Sequence, residues 1–170
     1  LEINRILNSF SDNNEKLMKY SYNSSIFNIE INNYHITSKL IEGNYPNFNK
    51  VIPETTSSEI AVDKSTLKNS LNIISKVVNQ QYKGVKLTPS NNTMHLISSN
   101  TESEIGEDQI DVDYTGEEIS IGFNISYLQD VIETLDGDTV HICINDQNSG
   151  CIIKDKQDSD STFVIMPMRV

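Results

Sequence analysis

Apolar residues recur along this chain in two rhythms, and the switches between them lay out its elements. Leu1, Ile3, Ile6, Leu7 and Phe10 follow the three-to-four-residue spacing of a helix with one apolar face. Strand-like runs follow at 17–22, 26–31 and 34–41, separated by Asn23-Ser24 and Asn32-Asn33, which suit tight turns. A helix followed by a three-stranded meander is therefore predicted. With no initiator Met before this helical pattern, the chain is expected to begin inside a larger protein. Residues 43–53 contain Pro46 and Pro53, read as irregular, and lead into the polar run 54–58. The domain boundary is expected there, with residues 1–54 in one unit and 55–170 in the next.

The second stretch starts with a strand at 59–62 and Asp63, a residue suited to cap a helix N-terminus. The helix is predicted through about Asn79, with Leu67, Leu71, Ile74 and Val78 facing a core and Lys64, Lys68 and Lys76 on other faces. Strand patterns at 82–88, 93–98, 107–114 and 118–123 come next, with a turn at 89–92. Ser126 and Gln129 then form a capping box for a second helix striped by Leu128, Val131, Ile132 and Leu135. Asp136-Gly137-Asp138 ends it. Strands at 140–144 and 151–154, a polar loop to Ser161 and a terminal strand from Phe163 complete the order. That order predicts an α+β fold on antiparallel sheet. The helix and meander of the first stretch look like the closing half of the second, a weak internal repeat.

The chain stays apolar to its last residue: Phe163, Val164, Ile165, Met166, Pro167, Met168, Arg169 and Val170. One reading is a terminal strand that completes a sheet. The other is a lip for partner peptides, because unbranched Met side chains repack around different guests.

Charge narrows the choice of partner. Of the net −11, residues 59–170 carry −10, from eight basic and eighteen acidic side chains. That argues against a protein whose whole surface grips phosphates, and leaves room for a small basic face. The cluster Glu102, Glu104, Glu107 and Asp108 is either a solvated hairpin or a docking face for a basic surface. No run approaches the ~18 apolar residues of a membrane span. Cys143 and Cys151 have no zinc-like spacing and read as buried thiols.

Catalytic signals are sparse. His35, His95 and His141 fall in separate strands, with no nucleophile context near them. Asp111 and Asp113 share a strand face and could bind a metal, so an acidic metal-dependent hydrolase is one rival reading. Asp155, Asp158 and Asp160 miss the calcium-loop spacing and read as a solvated loop.

Four segments carry a resemblance: residues 37–48 (Thr-Ser-Lys-Leu-Ile-Glu-Gly-Asn-Tyr-Pro-Asn-Phe), Tyr82 to Leu87, Ile121 to Tyr127, and Val164 to Val170. Together they resemble the bacterial DNA polymerase III β sliding clamp, in that family's order and across essentially the whole chain. The likeness covers the second half of the middle of three similar domains, plus the third. It implies a DNA-clamp fold, with antiparallel sheets outside and two helices per domain lining a hole. It further implies a non-catalytic, cofactor-free processivity factor of the cytoplasm and nucleoid, a head-to-tail homodimer encircling duplex DNA without reading its sequence.

The resemblance also implies site residues. Lys64, Lys68 and Lys76 would face DNA. A groove between the middle and third domains would accept short motifs from the polymerase, the clamp loader and repair proteins. Its residues would be Pro46, Lys50, Val51, Asn124, Tyr127, Gly150, Val164, Ile165, Met166, Pro167, Met168, Arg169 and Val170. Lys50 stands where many relatives have Arg, which weakens bidentate recognition. Val77, Val78, Glu104, Glu107 and Asp108 would close the ring. The other rival is a peptide-binding adaptor unconnected with DNA.

Overall fold

The computed structural model describes residues 18–31, 33–44, 47–53 and 55–170. The predicted helix at Leu1–Phe10 lies outside them. The chain divides into two compact units, Leu1–Pro46 and Asn47–Val170. This division falls ahead of the polar run at 54–58. Hydrogen bonding explains why: Ser57 donates its amide to the Ile144 carbonyl, and Asn145 donates to the Thr55 carbonyl, which ties that run to the second unit.

In the first unit, β1 (Met18–Tyr22), β2 (Ile26–Ile31) and β3 (Tyr34–Lys39) form an antiparallel meander in that order. Register places Met18 opposite Ile31, Tyr20 opposite Ile29 and Ile31 opposite Tyr34, so period two gathers the apolar residues on one face. Ile29 and Ile31 on that face are buried.

The second unit holds β4 (Ser58–Asp63), α1 (Lys64–Ile74), β5 (Gly84–Ser90), β6 (Thr93–Ser99), β7 (Ile105–Asp111), β8 (Ile121–Asn124), α2 (Ile125–Thr134), β9 (Thr139–Ile144), β10 (Cys151–Asp155) and β11 (Asp158–Ile165). Two four-stranded antiparallel sheets result, ordered β11-β10-β9-β4 and β7-β6-β5-β8. Their inner faces meet the apolar stripes of α1 and α2 in one core. Ile60, Ile142 and Ile153 come from the first sheet, Leu87, Leu96 and Phe123 from the second, and Leu67, Leu71, Leu128 and Ile132 from the helices.

Several boundaries differ from the sequence reading. α1 stops at Ile74, short of Asn79, and the chain tightens into turns in which Lys76 and Val77 donate to Ile73 and Ile74 carbonyls. The Asn79 carboxamide then accepts from the Gln81 and Tyr82 amides, a local bond that competes with helix continuation. The cap of α2 is Asn124, whose side chain accepts from the Ser126 amide, in place of the Ser126 capping box. The β5–β6 turn is only Asn91-Asn92, both with positive φ, of 50° and 62°. Asn tolerates that conformation, so Pro89 stays inside β5. There β8 no longer pairs, since its register with β5 ends at Leu87, and a strand with one open side accepts proline.

The polar loop predicted after 154 is instead a tight hairpin, because β11 begins at Asp158. Asp155 is buried, 5% exposed, and accepts from the Gly137 amide at 2.6 Å and the Gln157 amide at 2.8 Å. These donors favour the ionised form and hold its carboxyl below the ordinary 3.8. A carboxyl lowered in the folded state adds stability above its unfolded value, and that stability is lost as pH falls through the folded one. Asp155→Asn is therefore expected to lower the urea midpoint at neutral pH. The deficit should shrink as pH drops from 3.8 toward the lower folded value, through which folded wild type also loses the charge. A deficit independent of pH would contradict this account.

Candidate functional site

Five of the predicted groove residues, Lys50, Val51, Gly150, Val164 and Met166, gather around the end of β11. Lys50 closes a 3-10 turn, Phe48–Lys50, which Asn47 caps by accepting from the Asn49 amide, and Val51 follows it. Gly150 precedes β10, and β10 pairs Ile152 with Val164. A Cβ on Gly150 would stand 2.8 Å from the Val51 carbonyl oxygen, 3.1 Å from Val164 Cγ1 and 3.4 Å from Met166 Sδ. Only hydrogen fits there. Lys50, Val51, Gly150 and Met166 line a recess of about 340 Å³ together with Pro53, Thr55, Asn145 and Ser149, four residues the sequence reading missed. Its lining mixes the apolar Val51, Pro53 and Met166 with the polar Lys50, Thr55, Asn145 and Ser149, a set that can meet both a side chain and the backbone of a peptide. Asp146 orders the turn that carries Ser149 by accepting from Ser149 Oγ and from the Asn148 and Ser149 amides. These bonds hold its carboxyl below the ordinary value.

The remaining groove residues are distributed differently. Ile165 is 4% exposed and belongs to the core, because a strand sends alternate side chains to opposite faces, and Val164 and Met166 take the other one. Met168, Arg169 and Val170 line a second recess of about 290 Å³ with Tyr82, Gly84 and Asn79. Pro167 joins the two ends of this strip. Asn124 spends its side chain on capping α2, and Tyr127 stands exposed on the first turn of that helix. Pro46 lies outside the described residues. Gly84 and Tyr82 fall within the second segment of the family resemblance, which was the available sequence signal for them.

α1 and α2 run antiparallel, shown by three contacts in reversed order. Lys64 Nζ donates to the Leu135 carbonyl, Lys68 Nζ lies 3.4 Å from Glu133 Oε1, and Gln129 donates to Asn72 at 2.9 Å. Two of the three predicted DNA-facing lysines are thus already engaged. An exposed ion pair such as Lys68–Glu133 contributes at most ~1 kcal/mol, so Lys68 remains free to exchange partners. Lys76 lies past the C-terminal end of α1, apart from the other two. It lines a recess with Glu102 and Glu104.

β7 is an edge strand, leaving one side of its backbone unpaired in the sheet. Glu104 just before it and Glu107 within it are exposed, Asp108 within it is half-buried, and Ile105 is 64% exposed. Val78 is 7% exposed and packs in this unit's own core, as its helical spacing predicts. Val77 is half-buried, its Cγ2 3.0 Å from where a Cβ on Gly106 would be.

Other polar groups of the second unit are engaged with one another. His141 Nδ1 and Lys156 Nζ both meet Glu59 Oε1, at 2.8 and 2.9 Å. The Lys156 bond first, then the His141 bond, hold the Glu59 carboxyl low. Burial pushes the Cys151 thiol up to about 12 and raises that of Cys143, so neither supplies a thiolate near neutrality. Asp111 and Asp113 lie exposed, and among the described residues no three His, Cys, Asp or Glu converge as metal ligands. No helix of the described residues is long and apolar enough to cross a membrane.

The second unit is thus an α+β domain of two antiparallel sheets and two helices, with a recess beside its C-terminal strip. Residues 49–169 match the family described as DNA polymerase III beta subunit, C-terminal domain. The beta sliding clamp of Haemophilus influenzae is 32% identical over 170 residues, covering 100% of this chain and 45% of that protein. That of Vibrio cholerae is 33% identical over 141 residues, 83% of this chain and 38% of that one. Solved structures agree. The clamp of Bartonella birtlesii bound to griselimycin aligns with a TM-score of 0.87 at 27% identity, covering 99% of this chain and 45% of that one. A Pseudomonas aeruginosa sliding clamp with ligand gives 0.85 at 27% identity, with the same coverage. The chain belongs to the bacterial DNA polymerase III beta subunit, or beta sliding clamp, family. It spans less than half the length of the relatives it matches.

Proposed function

We propose that this chain is the C-terminal part of a non-catalytic sliding clamp of bacterial DNA replication, working in the cytoplasm. The first unit corresponds to the closing half of a middle domain and the second to the third domain. The observation that carries the reading is the recess formed by Lys50, Val51, Gly150 and Met166, together with the family match over 49–169. Short motifs of the replicative polymerase, clamp loader and repair proteins would place an apolar side chain there, against Val51 and Met166. Tethering polymerase to a ring that encircles duplex DNA then gives processivity.

The DNA-facing role rests on Lys64 and Lys68 of α1. Both already have protein partners, and α2 adds Asp130 and Glu133, so contact with phosphate is loose. Holding must come from topology. Lys76 is better placed to answer Glu102 and Glu104 than to join the other two lysines. Ring closure would use the free edge of β7, with Glu104, Glu107 and Asp108 facing basic residues of a second chain. Backbone pairing along that edge would supply affinity, and the acids would set partner choice.

The test uses the full-length protein. Loaded on closed circular DNA, it should stay bound through a high-salt wash and be released when the circle is linearised. Release that tracks salt and ignores linearisation would overturn the ring. Griselimycin, held by the solved Bartonella birtlesii clamp, is a ready small probe for binding to this protein.

A further inference from the structure

Gly84 and Gly122 occupy neighbouring strands, and nothing in their own backbone calls for glycine. Among the glycines of described backbone only Gly43 has a positive φ. A glycine inside a strand forfeits packing and adds entropy cost, so its presence marks a place where something approaches the bare backbone. Register places Lys86 opposite Gly122 and Gly84 opposite Asn124, so both glycines lie on one face of the sheet. Their neighbours Val85 and Phe123 point the other way, into the core.

What approaches is the chain's own final strip. Met168 donates its amide to the Gly122 carbonyl at 2.8 Å. A Cβ on Gly122 would overlap the Met168 carbonyl oxygen and stand 2.5 Å from Val170 Cγ2. A Cβ on Gly84 would stand 3.0 and 3.1 Å from the two γ-methyls of Val170. Val170 nevertheless remains 61% exposed, so the strip is held by close backbone approach more than by buried area. A segment held this way is among the first to open locally.

We propose that Gly84 and Gly122 are positioning residues that form a two-glycine seat for residues 168–170, and through it set the wall of the partner-peptide groove. This rests on the groove reading above. β11 ends at Ile165, so beyond that point no sheet pairing directs the chain. The seat anchors the far end of the strip. Met166 is thereby kept against Gly150 on one side and Met168 beside Tyr82 on the other. A peptide entering the groove meets a preformed wall and avoids the cost of ordering it.

The steric geometry makes the proposal specific. At Gly122 the obstructed group includes backbone, which cannot be trimmed by mutation. At Gly84 the obstructing atoms are all in the Val170 side chain, so a smaller residue there should relieve the clash. The experiment compares full-length wild type with Gly122→Ala, Gly84→Ala, Val170→Ala and the Gly84→Ala/Val170→Ala pair. Two readouts are taken: hydrogen exchange of the Met168 amide, and affinity for a labelled peptide of a polymerase clamp-binding motif. Gly122→Ala is expected to speed Met168 exchange and to weaken peptide binding by about tenfold. Gly84→Ala should do the same to a smaller degree, and the pair should recover exchange protection and affinity to the level of Val170→Ala alone.

Unchanged Met168 exchange in Gly122→Ala would overturn the seat. So would a double variant no better than Gly84→Ala. Should Gly122→Ala fail to fold, the Gly84 pair decides alone. A wild type that binds no clamp-motif peptide would refute the groove reading, and the exchange readout would still decide the seat.

Discussion

Removing residues 166–170 from the full-length protein is expected to weaken binding of a clamp-motif peptide by about a hundredfold or more while leaving the second unit folded. The first half of this expectation follows from the recess. Met166 faces Gly150 beside Val51, and its loss opens that side of the pocket to water. A central anchoring contact of an interface carries about 2–4 kcal/mol, and each 1.4 kcal/mol is tenfold in affinity. Met168 leaves the second recess at the same time. The second half follows from register. Pairing of β11 with β10 includes Ile165 opposite Cys151, and Ile165 remains in the core after the cut. Fluorescence anisotropy with a labelled peptide measures the first, and circular dichroism on heating measures the second. Retained affinity would remove the strip from the site.

Leu71→Ala is expected to produce the largest stability loss, about 2–5 kcal/mol. Leu71 lies on the inner stripe of α1 with no exposed surface, in the core shared by both sheets and both helices. Close packing leaves few ways for the surroundings to collapse into the vacated volume, so lost transfer energy and cavity cost add. The same helix carries Lys64 and Lys68, and loosening it would also disturb their contacts with α2. Urea unfolding followed through the transition of the second unit gives the value. A loss below ~1 kcal/mol would show that α1 contributes less to this core than its burial indicates.

Much of the fold was legible because amphipathic periodicity is local. β2 spans Ile26–Ile31, as its alternation indicates, and the stripes of both helices turn inward at Leu67, Leu71, Leu128 and Ile132. Ends were less legible. Whether α1 continues past Ile74 depends on the Asn79 side chain capturing the Gln81 and Tyr82 amides, a competition that periodicity does not record. Polarity likewise marked Asp155 as solvated, yet Gly137, 18 residues away, supplies the amide that lets it be buried.

The candidate site shows the same division. Met166 stood out in the apolar C-terminal run as a candidate peptide lip, whereas Lys50, Val51 and Gly150 were named from family resemblance alone. Pro53, Thr55, Asn145 and Ser149 of its lining had no such signal and were missed. Val78 is in the core, as helical spacing indicated, although the helix ends at Ile74 and a turn carries it there.

The sequence by itself determined the kinds of element, their order, the apolar faces and the charge imbalance, since each follows from neighbours within a few positions. Tertiary structure alone decided that Val51, Gly150 and Met166 share one recess, that Lys76 parts from Lys64 and Lys68, and that Val170 rests on Gly84 and Gly122. The physical reason is that long-range strand pairing and core packing set those distances, through contacts that no stretch of neighbouring residues contains.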